Sequence, residues 1–90
     1  MDPEALADAY AKEGDALLAK RKTAEAIALY DRAIEVHPES CEAWTRKAVA
    51  LKAMGRFRES LECVERALEI YQDPIAEELR DSLRPDADRG

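Results

Sequence analysis

Apolar residues recur three and four positions apart along most of this chain, which is the spacing of one helix face. Asp2-Pro3-Glu4 opens the first such stretch: Asp caps, Pro tolerates the first helical position, and Glu suits the positive end of the helix dipole. The pattern runs to about Lys20, where Lys20-Arg21-Lys22 places cations at the negative end of the dipole. Thr23 is the expected cap of a second helix carried by Ala26, Ile27, Tyr30, Ala33 and Ile34. That helix stops before Pro38, because the residue preceding a proline leaves the α region. Ser40 caps a third helix through about Met54, and Gly55 suits the left-handed position that follows a helix. A fourth spans about Phe57 to Tyr71, with Leu61, Val64, Leu68 and Tyr71 on one face. Asp73-Pro74 is again a cap followed by a first-turn proline, opening a fifth helix that presents Ile75, Leu79 and Leu83 four apart. Arg84-Pro85 is its expected end, with the remaining residues as a frayed polar tail.

The second helix pair repeats the first. A displacement of 34 residues, the length of one helix-turn-helix repeat unit, brings Ala9 onto Ala43, Tyr10 onto Trp44, Leu17 onto Leu51 and Ala19 onto Ala53. The same register brings Glu25 onto Glu59, Arg32 onto Arg66, Ala33 onto Ala67, Ile34 onto Leu68 and Glu35 onto Glu69.

The first unit, with Tyr10, Gly14, Leu17, Ala26, Tyr30, Ala33 and Pro38, resembles the tetratricopeptide repeat. The second resembles it through Trp44, Ala48, Leu51, Gly55, Phe57, Val64 and Ala67. It departs at Ser60, where alanine is usual, and Pro74 arrives two residues late. Glu13 and Lys47 stand where a leucine is expected. The resemblance implies an all-α fold, a right-handed alpha-alpha superhelix of two antiparallel helix pairs plus a solvating helix. The expected boundaries are one domain over 1–84, with repeat one at 7–40, repeat two at 41–74, a capping helix at 74–84 and a frayed tail at 85–90. Tyr10, Tyr30 and Trp44 are expected between helices. Small residues such as Gly14, Ala33, Ala48 and Ala67 are expected to allow close helix approach.

In this family the first helix of each unit lines a concave groove that holds peptides. The residues at those places are Asp8, Ala11, Lys12 and Asp15 in unit one, and Glu42, Thr45, Arg46, Val49 and Lys52 in unit two. A plain solvated helix face is the competing reading of the same residues. One subset of the family clamps a partner's C-terminal carboxylate, and Arg46 occupies the clamp arginine's place. Glu42 stands where the clamp lysine belongs and Lys12 where an asparagine belongs, so the resemblance does not extend to a complete clamp. Lys12 and Arg46 fall at equivalent places and would attract an acidic ligand. The turn residues Lys20, Arg21, Lys22, Arg56 and Arg58 read as helix-end electrostatics or as a docking edge for an acidic partner.

Composition narrows the function classes. Apolar residues are 47% and charged residues 38%, with few Gly and Pro, so the chain has enough apolar surface for a core and favours helix. A net charge of −6 opposes binding to phosphate, which argues against nucleic acid and anionic membrane as partners. No apolar run approaches the roughly 18 residues of a membrane span. Cys41 and Cys63 with the single His37 do not supply the about four ligands of a zinc site. Free thiols fit a reducing, cytoplasmic setting. A helix N-terminus is expected to lower the Cys41 thiol pKa. There is no phosphate loop, no metal-ligand spacing and no Ser/His/Asp set, so neither an enzyme nor a cofactor is expected. The expectation is an adaptor that binds a protein or peptide partner. The alternative is a self-assembly module, a homo-dimer or a piece of a longer array, because arrays normally need roughly three repeats.

Overall fold

The computed structural model describes the backbone of residues 2–89 and the side chains of residues 2–85. Five helices follow one another, with no strand among the described residues: α1 (Pro3–Ala19), α2 (Thr23–Val36), α3 (Cys41–Ala53), α4 (Phe57–Ile70) and α5 (Pro74–Arg89). Three starts follow from side-chain caps. The Asp2 carboxylate accepts the Glu4 N–H at 3.4 Å, Ser40 Oγ the Ala43 N–H at 3.2 Å, and the Asp73 carboxylate the Ile75 N–H at 3.2 Å. Thr23 is not a cap: it is already helical, and Lys22 takes the capping position without a side-chain hydrogen bond. Arg56 does the same ahead of α4.

The intra-unit turns explain that difference. After α1, the Arg21 N–H donates to the Leu18 carbonyl and the Lys22 N–H to the Leu17 carbonyl. After α3, Gly55 and Arg56 donate in the same way to Lys52 and Leu51. Both are Schellman turns, whose closing residue is at once the cap of the next helix. Such a turn needs one left-handed residue. Gly55 supplies it at φ 77°, and Arg21, at the equivalent place, adopts φ 64° against the steric cost of its Cβ.

Helices α1 and α2 pack along a seam set by size. A Cβ on Gly14 would stand 2.6 Å from the ring of Tyr30, which is fully buried. The equivalent places in unit two hold Ala48 and Val64, also fully buried. The units thus fill the same crossing differently, glycine against tyrosine in one and alanine against valine in the other. Ser60 stands where Ala26 does, is fully buried, and donates its hydroxyl to the Ala48 carbonyl, which satisfies the polar atom that the departure from alanine introduces. Trp44 is only partly buried, and its indole N–H donates to the Pro38 carbonyl at 2.9 Å. It packs against the unit-two core at its edge and also tethers the inter-unit turn.

The units join where α3 packs against α2 and α1. Ala43 and Ala50 turn one side of α3 into the first unit's core, while Ala48 and Leu51 enter the second. Lys47 reaches back to Asp31 on α2 at 2.6 Å. Helix α5 then covers α4 with Leu79 and Leu83, as expected, but with Ala76 in place of Ile75: Ala76 and Leu83 are fully buried, and Ile75 is 69% exposed. Tyr71, expected on the buried face of α4, is 65% exposed. The expected end at Arg84 is also corrected. The helix continues through Pro85 to Arg89, and the proline removes only one backbone N–H near the end of the helix. Of the expected frayed tail, Gly90 lies outside the described residues.

Two outcomes follow from the turns and the seam. Gly14→Ala forces the methyl group into a ring with no room to move. Overpacking of about 1–3 kcal/mol exceeds the helix-propensity gain of about 0.5–1 kcal/mol, so urea denaturation should show net destabilisation. Adding Tyr30→Val, the unit-two solution, should make the double variant more stable than the two single losses sum to. Arg21→Gly should raise stability by up to about 1 kcal/mol, since it relieves the left-handed strain that Gly55 avoids. Unchanged or lower stability would mean that the turn is not strained.

Candidate functional site

The first helix of each unit and the start of α5 share one side of the protein. Asp15 on α1 accepts the Tyr30 hydroxyl at 2.6 Å and forms an ion pair with Arg46 on α3. Arg46 is also paired with Glu42 one turn earlier on α3. On α1, Lys12 pairs with Asp8 at 3.1 Å. On α3, Lys52 Nζ donates to Ser82 Oγ of α5 at 3.3 Å. The cations of this face are therefore held by groups of the protein itself.

Two clefts open here. One, of 490 Å³, lies between the starts of α1 and α3. Asp2, Glu4, Asp8, Glu39 and Glu42 border it, with Ala5, Ala11 and His37. Among the described residues no basic side chain lies within ion-pair distance of Asp2, Glu4 or Glu39. The second, of 400 Å³, lies between α3 and α5 and is lined by Cys41, Glu42, Thr45, Arg46, Tyr71, Asp73 and Ile75. Cys41 and Glu42 border both.

The nine residues expected on the groove fall unevenly. Asp15, Glu42 and Arg46 are drawn together, and Thr45 joins Glu42 and Arg46 on the second cleft, its hydroxyl donating to the Cys41 carbonyl at 2.9 Å. Asp8 borders the acidic cleft. Ala11 is buried and contributes mainly to the core. Val49 is 44% exposed, Lys12 is exposed, and Lys52 is tied to α5. Sequence reasoning missed Tyr71 and Ile75 because both were assigned inward. A displacement of 33 rather than 34 residues would have found Ile75. It sets Ala76 on Ala43 and Leu83 on Ala50, all fully buried, and Ile75 on Glu42.

Of the turn cations, Arg56 is tied to Glu59 by hydrogen bonds of 2.8 and 2.6 Å, while Lys20, Arg21, Lys22 and Arg58 are exposed. The Cys41 thiol is not activated. Burial pushes its pKa up, the Asp73 and Glu42 carboxylates add to the rise, and the Thr45 hydroxyl only partly opposes it. The expected helix-dipole lowering is overridden. Cys63 is buried, and its thiol is pushed up to about 11, chiefly by burial. Both cysteines are free. Among the described residues there is no group of three His, Cys, Asp or Glu side chains placed to hold a metal ion, and no helix long and apolar enough to cross a membrane.

The tetratricopeptide repeat family model matches residues 17–83, most of the chain. This chain belongs to the tetratricopeptide repeat family. Members of that family are generally non-catalytic scaffolds for protein interaction. The chain is similar to an uncharacterized protein of Methanocaldococcus jannaschii, MJ0572, with 36% identity over 71% of this chain and 74% of that protein. It is 46% identical to the TPR repeat-containing thioredoxin TTL4 of Arabidopsis thaliana over 60% of this chain, and 34% identical to the STIP1 homolog of Dictyostelium discoideum over 82%. Those matches cover 8% and 13% of the two larger proteins.

The thiol and phenol pKa values predict alkaline sensitivity. Cys63 rises from an ordinary 9.0 to about 11, and burial also raises Tyr30 from its ordinary 10.0. A neutral form favoured by folding contributes stability that is complete below the unfolded pKa and is lost as pH rises through the folded one. The urea midpoint should therefore fall as pH rises from about 9 through 11, and Cys63→Ala should flatten the early part of the fall. A midpoint equally flat in both proteins would contradict the burial.

Proposed function

We propose that this chain is a protein-interaction module that holds a peptide or helical segment of a partner on the face shared by α1, α3 and α5, with no catalysis. The observation that carries the reading is the exposure of Tyr71 and Ile75, at 65% and 69%, on a 400 Å³ cleft, with Val49 on α3 also 44% exposed. Large apolar side chains gathered beside a concavity are the usual mark of a partner site. Membership of the repeat family supports it, and so do the relatives in which the repeat is a small part of a larger protein.

Panning a random peptide library on the intact chain tests it. Selected peptides should lose about tenfold or more in affinity, roughly 1.4 kcal/mol, on Ile75→Ser or Val49→Ser. They should be unaffected by Glu62→Ser on α4. Peptides that ignore the first two changes would remove the groove from this reading.

One observation favours self-assembly as the second reading. Ala9 and Ala16 are exposed, whereas their equivalents Ala43 and Ala50 are fully buried by the preceding unit. That side of α1 offers a repeat junction to a second copy or to further repeats. Sedimentation over a wide concentration range separates the readings: a mass fixed at 10.1 kDa rules out the second copy.

A further inference from the structure

The charge around the apolar cleft points to the kind of segment that it takes. The cleft between α3 and α5 is apolar where Tyr71 and Ile75 flank it and acidic at its borders, through Glu42 and Asp73. It shares Cys41 and Glu42 with the cleft bordered by Asp2, Glu4, Asp8 and Glu39. Six carboxylates thus line the two adjoining clefts. Among the described residues that line them, the one lysine or arginine is Arg46, which is already engaged by Asp15 and Glu42. Lys12 on α1 offers no substitute, since it is paired with Asp8. An acidic segment would meet repulsion along both clefts and would have to displace internal ion pairs to find a partner. A basic segment meets Asp2, Glu4 and Glu39, which have no basic side chain within ion-pair distance among the described residues.

We propose that this groove takes a partner segment in which an apolar side chain is followed by lysines or arginines. The apolar residue docks between Tyr71 and Ile75, and the cations lie along Asp2, Glu4 and Glu39 at the start of α1 and α3. This rests on the reading of the face as a protein-interaction site and names the chemistry of its partner. Recognition is thereby opposite in sign to the carboxylate clamp of which Arg46 alone is present.

Fluorescence anisotropy with the intact 90-residue chain tests it. Four labelled decapeptides of equal length serve as probes: one with two leucines followed by four lysines, one with glutamates in place of the lysines, one with serines in place of the leucines, and a neutral leucine-glutamine peptide. At low salt the leucine-lysine peptide should bind about tenfold or more tightly than each of the others, and its affinity should fall as salt screens the exposed carboxylates. Ile75→Ser and the Glu4→Lys/Glu39→Lys pair change exposed residues, and each should lower that affinity about tenfold, with helical content unchanged by circular dichroism. Preference for the glutamate or the neutral peptide, still sensitive to Ile75→Ser, would overturn the basic partner while leaving the interaction site standing. Equal binding of the serine-lysine peptide would reduce the contact to bare charge and overturn the apolar anchor. Binding of no probe, or binding indifferent to Ile75→Ser, would overturn both this proposal and the reading on which it rests.

Discussion

The ring of Tyr30 occupies the space that any side chain at position 14 would need. That contact lets α1 and α2 approach closely enough to bury the whole tyrosine, and burial in turn obliges its hydroxyl to find an acceptor. Asp15 provides it from the next position on α1. The same carboxylate then pairs with Arg46 across the unit boundary, and Arg46 with Glu42. A packing requirement inside repeat one is thereby transmitted, through one carboxylate, to the charge arrangement of the groove. Arg46 is not a free cation awaiting a ligand because Tyr30 and Gly14 fix where Asp15 stands.

Repeat two makes the same fold without that chain. Val64 carries no hydroxyl, so nothing calls for a carboxylate at the place equivalent to Asp15, and Val49 occupies it with nearly half its surface in water. The groove is consequently polar over α1, with Asp8, Lys12 and Asp15 paired internally, and more apolar toward α5. Helix α5 extends the gradient. Its register relative to α3 is shifted by one residue from that between α3 and α1, which buries Ala76 and Leu83 against α4 and turns Ile75 outward. A capping helix that merely solvated the end of the array would have no need of an exposed isoleucine beside an exposed tyrosine.

The helices and their order were legible in the sequence because periodic apolar positions, Asp2, Ser40, Gly55 and Asp73 are local signals with local causes. The seam was legible in part. Gly14 was recognised as a crossing residue from the repeat, but the exchange of glycine and tyrosine for alanine and valine emerges only when both units are seen packed. Thr23 was misread because a Schellman turn, closed by backbone bonds from Arg21 and Lys22, leaves no room for a separate cap. Ile75 and Tyr71 were misread because spacing of four fits two neighbouring faces of a helix equally well, and only the docking of α5 on α4 chooses between them. Cys41 was misjudged for a related reason: the helix start that favours a thiolate lies beside Glu42 and Asp73, and Asp73 is distant in sequence.

The link from the buried tyrosine to the groove cation is what joins the fold to its proposed use, and a double-mutant cycle measures it directly. Tyr30→Phe removes the hydroxyl that orients Asp15 and keeps the ring. Arg46→Met removes the guanidinium and keeps much of the stem. Urea denaturation of the four proteins should give a coupling of about 0.5 kcal/mol or more between two residues that bond to the same carboxylate but not to each other. Losses that add within about 0.3 kcal/mol would contradict the account: Tyr30 would then be packing alone, and the charges of the groove would be set independently of the core.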